Sequence, residues 1–199
     1  MKKFEIPEIA FIVNNLLPVF GVIFLGWSAF QILILYWIET IIVCLFSFAK
    51  IFQDEESTVK ALAGIGFMSV IYGVFLFAHY FAIIIFGAFT DEIHPSSIRE
   101  GFLAPLWENP TILISIIVCI VSYFISYRKG VLLASPIKRI MIVQASVLIG
   151  GITAIFISRS VDINESGAKG IMVGMFILIK NLADMSTYKR IQPSTVKSN

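Results

Sequence analysis

Charge is scarce in this chain. Lysine, arginine, aspartate and glutamate make up 14% of its 199 residues, against about 25% in a typical soluble domain. Cysteine is nearly missing. Cys44 and Cys119 are the only two, both inside apolar runs and neither in a CxxC pair. A zinc site or redox motif is therefore not signalled, and a chance disulfide between them is not expected. Histidine is limited to His79 and His94, with no HExxH and no His-Cys cluster. There is no long basic run and no aromatic-basic stripe, so nucleic-acid binding has no support. Hydrolase elbows, P-loops and dinucleotide fingerprints are also absent.

What the chain has is apolar surface. Hydrophobic residues reach 58%, above the roughly 45–50% of a soluble domain. A soluble core of this size cannot hide so much, so the expected solvent is lipid. The expected fold is all-α, an integral membrane bundle in one transmembrane domain over residues 1–191. A short cytoplasmic tail, 192–199, reads as disordered. Lys2 and Lys3 precede the first apolar run as in a signal peptide. Glu5 and Glu8 interrupt that charge, and no small-x-small cleavage site follows. The run is read as a retained first helix.

Crossing about 30 Å of hydrocarbon takes about 20 apolar residues. Six runs qualify or come close: 9–25, 30–52, 61–89, 111–127, 140–158 and 168–188. Helices are the expected form, because lipid offers no partner to backbone polar groups. The intervening segments carry turn chemistry. Trp27 suits a membrane interface, Ser57 or Thr58 a helix cap, and Pro110 the first turn of a helix.

The basic residues predict orientation. With six helices, one side holds Lys2, Lys3, Lys50, Lys60, Arg128, Lys129, Lys138, Arg139, Lys189, Arg190 and Lys197, which is 11. The other holds Arg99, Arg159 and Lys169, which is 3. Positive charge stays inside, so both termini are expected in the cytoplasm and the chain in the cell (plasma) membrane.

Ionisable groups inside apolar runs are the candidates for function, since one at the bilayer centre costs roughly 2.5–3.5 kcal/mol on insertion scales. There are four: Glu39, His79, Lys180 and Asp184. Tyr36 precedes Glu39 by three residues and shares its helix face. Glu39 is a candidate proton carrier, general base or cation ligand, or else half of a structural pair. Lys180 and Asp184 are four apart on one face. They read as an intrahelical pair with Lys180 also reaching Glu39, or as an anion or headgroup site. His79 reads first as a helix-packing residue and second as an acid-base group or metal ligand. A metal site needs three or four ligands, and none is expected. Asn14, Asn15, Gln144, Ser146 and Asn181 add uncharged polarity. They suit a polar cavity or interhelical hydrogen bonds. Gly170 and Gly174 form a GxxxG, and Ser146, Gly150 and Ala154 a small-residue row. These predict close internal packing first and a homo-oligomer second.

Several of these residues carry a resemblance. Asn14 to Pro18, Gly21, Trp27, the Tyr36-Trp37-Ile38-Glu39 run and Lys50 resemble the start of an uncharacterised prokaryotic polytopic membrane-protein family, domain of unknown function 6498. His79-Tyr80, Gly87, Pro136 to Ile140 and Lys180 to Asp184 are similar to its later segments. The resemblance spans most of the chain, and Tyr-Trp-x-Glu is its most specific element. It implies a polytopic fold and nominates Glu39, His79, Lys180 and Asp184. It implies no activity. The family pattern has further histidines past the His-Tyr pair and in the fifth helix. The matching positions here are Phe86 and Gln144, which puts a multi-histidine metal site in doubt.

Three readings stay open. The chain binds or transports a small solute, ion or lipid headgroup at an intramembrane polar site formed by Tyr36, Glu39, His79, Lys180 and Asp184. Alternatively it is an intramembrane, hydrolase-like enzyme using Glu39 and His79, whose expected depths differ by about 6 Å. Or its charges only hold the bundle together. The sequence names no cofactor and, apart from the lipid bilayer, no obligatory partner.

Overall fold

The computed structural model describes residues 6–89, 106–107, 109–129, 141, 145, 149, 174–175 and 177–182. Among the described residues the secondary structure is helical, without strands. Four long helices stand out: α1 (Ile6–Leu25), α2 (Ala29–Asp54), α3 (Thr58–Phe89) and α4 (Pro110–Arg128). Residues 177–182 are helical as well. α2, α3 and α4 are each long and apolar enough to cross a membrane, and α1 contributes a shorter apolar helix, Ile12–Leu25.

The helices outrun the apolar runs that announce them. α1 is already helical at Ile6, ahead of residue 9, α2 spans Ala29–Asp54 rather than 30–52, and α3 begins at Thr58 rather than 61. Helical hydrogen bonding does not stop where hydrophobicity does, and caps set the ends. Ser28 accepts the Gln31 amide while the Gln31 side chain accepts the Ser28 amide, a reciprocal capping box. Asn109 caps α4 by accepting the Thr111 amide, and Pro110 takes the first turn. At 32 residues, α3 is about 48 Å long at about 1.5 Å per residue. That is longer than the roughly 30 Å of hydrocarbon, so the helix has length to spare for tilt. The expected fifth and sixth helices lie largely outside the described residues.

The turn between α1 and α2 is tight and specific. Gly26 stands at φ 68°, a left-handed conformation that favours glycine. It ends α1 and lets the Trp27 amide return to the Gly21 carbonyl at 3.0 Å. The Trp27 ring lies on Gly21, and a Cβ at residue 21 would run into it. The indole then donates to Thr111 Oγ1 at 2.8 Å, and the Thr111 hydroxyl donates to Asn109 Oδ1. One end of the bundle thus fastens the α1–α2 turn to the start of α4.

α2 is the central helix. Of its apolar span 61% is buried, against 11% for α3 and 33% for α4. α3 packs antiparallel along one side of α2. Trp37 Nε1 donates to the Leu76 carbonyl at 3.0 Å. Further along, Tyr72 meets Ser47 at 3.4 Å and the Phe48 ring edge-on. α4 packs along another side, where Phe46 lies between Tyr123 and Tyr127. α1 rests on α4. The largest core cluster joins Trp27, Phe30, residues 32–36, Ile83, Ile112 and Ile177. The outward faces are apolar too, including Ile23, Phe67, Phe77 and Ile117. That is what a helix facing lipid presents.

Candidate functional site

A charged pair sits inside this apolar bundle. Thr40 and Ser47 on α2 satisfy their hydroxyls locally, on the Tyr36 and Val43 carbonyls. Glu39 has no such local solution and points into the interior, where only 5% of its surface is exposed. Lys180 on segment 177–182 reaches it from the far end of the chain. Lys180 Nζ stands 3.0 Å from Glu39 Oε2 and 3.3 Å from Oε1.

Other side chains complete both charges. Asn14 Nδ2 donates to Glu39 Oε1 at 2.9 Å, and the Tyr123 hydroxyl donates to the same oxygen at 3.2 Å. Lys180 Nζ donates to Asn15 Oδ1 at 2.9 Å and lies 5.0 Å from the centre of the Tyr36 ring. The negative π face of a tyrosine attracts a cation. Adjacent residues on a helix diverge by about 100°, which lets Asn14 serve the carboxylate and Asn15 the ammonium. Pro18 lies inside α1 and supplies no amide to the carbonyl one turn back, that of Asn14. The centre thus draws on α1, α2, α4 and segment 177–182.

Electrostatics make such a pair demanding. Two charges taken from water lose several kcal/mol each, and mutual attraction repays this only when the remaining hydrogen bonds are made. Here they are made, by two amides, a phenol and an aromatic face.

The expected residues distribute unevenly. Tyr36, Glu39 and Lys180 come together. His79 is completely buried on α3, but neither ring nitrogen has a hydrogen-bond partner among the described residues. The Trp37–Leu76 bond and the Trp37–Tyr80 ring contact set His79 near the level of Tyr36, about one turn from Glu39. Asp184 lies outside the described residues, as do Gln144 and Ser146. Among the described residues no group of three or more His, Cys, Asp or Glu could hold a metal ion. Tyr123 is the member that sequence reasoning missed. Its signal is a buried polar stripe on α4, made of Ser115, Cys119, Ser122, Tyr123 and Ser126.

The sequence profile of a family of unknown function matches residues 2–198, nearly the whole chain. The chain belongs to DUF6498. No curated protein and no solved structure matches it. Membership of DUF6498 assigns no activity, so the site must speak through its own chemistry.

Proposed function

We propose that this DUF6498 chain is a multi-pass protein of the cell membrane that binds or transports a small solute, ion or lipid headgroup at the Glu39–Lys180 centre. One observation carries the reading. A lysine and a glutamate, both almost sealed from solvent, meet at 3.0 Å inside an apolar bundle. Apolar side chains of similar volume hold a core equally well or better. Ionisable groups kept at membrane depth usually mark a pathway or binding site. The centre offers both signs of charge. A phosphate or carboxylate competes with Glu39 for Lys180, and a cation competes with Lys180 for Glu39. Six helices with both termini in the cytoplasm complete the proposal, supported by the 11-to-3 partition of basic residues.

A second reading has its own support. Glu39 Oε1 collects donors from Asn14, Tyr123 and Lys180. So complete a set suits a lock that fixes helix register. The enzyme reading draws less from the geometry, because no hydrogen bond links His79 to Glu39 among the described residues.

Proteoliposomes test the proposal. The purified chain is reconstituted and challenged in turn with gradients of protons, Na+, K+, inorganic phosphate and glycerol phosphate. Flux of one of these in the wild type, lost in folded Lys180→Met, supports a transport site. No flux of any of them, with the doubly apolar Glu39→Leu/Lys180→Met chain far less stable than wild type, favours the lock.

A further inference from the structure

The two charges of the centre differ in how firmly each is held. Glu39 projects on a short stem from α2, whose apolar span is 61% buried. Its Oε1 accepts the Asn14 amide at 2.9 Å and the Tyr123 hydroxyl at 3.2 Å, one from α1 and one from α4. Both bonds survive without Lys180. The Lys180 ammonium sits at the end of a flexible four-carbon stem. Rotation of that stem carries the charge away without moving a helix. The carboxylate is therefore the fixed member of the pair and the ammonium the mobile one.

The place that the ammonium fills is lined for a cation. Nζ lies 3.0 and 3.3 Å from the two Glu39 oxygens, 2.9 Å from Asn15 Oδ1 and 5.0 Å from the centre of the Tyr36 ring. A carboxylate, an amide oxygen and an aromatic face all attract positive charge. Size and charge narrow the occupant. Mg2+ holds its oxygens at about 2.0–2.1 Å and Ca2+ at about 2.3–2.6 Å, closer than any of these spacings. One carboxylate offsets one positive charge, and a surplus charge in an apolar interior is costly. An anion has the weaker case. It would have to displace Glu39, which has the shorter stem and two further donors holding it.

We propose that the Lys180 ammonium occupies a monovalent-cation site built from Glu39, Asn15 and Tyr36, and gives way there to a solute cation of about its own size. This inference rests on the reading of the centre as a binding or transport site and names its substrate class. Ammonium, small primary amines and K+ share the required charge and size. Lys180 is then a tethered competitor, and removing it should tighten binding.

Equilibrium binding to the purified full chain tests this. The probes are radiolabelled methylammonium, rubidium ion as a stand-in for K+, and inorganic phosphate. Wild type should bind one of the two cations. Lys180→Met, which shortens the stem and deletes the ammonium, should bind the same cation more tightly, and Glu39→Leu/Lys180→Met should not bind it. Lys180→Gln replaces Lys180→Met where the methionine variant does not fold. Methylammonium as the ligand identifies an amine site, and rubidium identifies a site for K+. Cation binding by Lys180→Met but not by wild type shows that the lysine never yields, and overturns the proposal. So does equal affinity in the two chains, or binding by the double variant. Phosphate binding to wild type without cation binding overturns the substrate class and leaves the centre as a ligand site. No binding of any probe overturns both.

Discussion

Lys180 Nζ lies 3.0 Å from Glu39 Oε2, joining residues 141 positions apart in the chain. Each is the other's counter-ion, so removing one strands a buried charge. Lys180→Met or Glu39→Leu alone should destabilise by roughly 3–5 kcal/mol. The double variant should recover most of that loss. Thermal unfolding in one detergent, read as a double-mutant cycle, measures the coupling. Additive losses would deny the contact.

The two asparagines divide the work, and single substitutions should separate them. Asn14→Leu removes a donor from Glu39, and Asn15→Leu removes an acceptor from Lys180. Each should destabilise by about 0.6–2 kcal/mol. In a Lys180→Met background the Asn15→Leu loss should shrink, because its partner is gone, while the Asn14→Leu loss persists. Equal losses in both backgrounds would contradict this division.

Tyr123 donates to the same carboxylate oxygen as Asn14. Tyr123→Phe keeps the ring beside Phe46 and deletes only the hydroxyl. The expected loss is again about 0.6–2 kcal/mol, and it should vanish when Glu39 is leucine. Tyr127→Phe serves as a control, since its hydroxyl bonds to the exposed Gln53 and its loss should be close to zero.

Gly21→Ala forces the Trp27 ring off α1, whereas Gly66→Ala and Gly73→Ala meet open space. The first should lower the melting temperature and change the tryptophan emission. The other two should leave both unchanged or raise stability slightly, because alanine favours helix by up to about 1 kcal/mol over glycine. Identical behaviour at all three positions would mean that Trp27 does not pack on Gly21.

The sequence revealed the charged members of the centre because a charge in an apolar run is conspicuous. Glu39 and Lys180 stand out for that reason, and Tyr36 follows from helical spacing. It did not reveal who meets whom. Tyr123 is uncharged, and uncharged polar residues are common in apolar helices. Asn14 and Asn15 were visible as polar, but their partners depend on which helices neighbour one another, and hydropathy carries no such information. Helix cores were legible to within about three residues, and the ends moved because capping by Ser28 and Asn109 is independent of the hydrophobic pattern. His79 was legible as an intramembrane polar group; that it makes no bond to Glu39 was not.

Ligand-induced stabilisation tests the central claim most directly. Wild type and the Glu39→Leu/Lys180→Met chain are melted with inorganic phosphate, glycerol phosphate, Na+ or K+ added one at a time. A ligand at 100 times its Kd stabilises the folded state by about 2.7 kcal/mol. A binding centre at Glu39 and Lys180 predicts that at least one of these raises the melting temperature of the wild type and leaves the double variant unmoved. Equal responses in the two chains, or none in either, would contradict it.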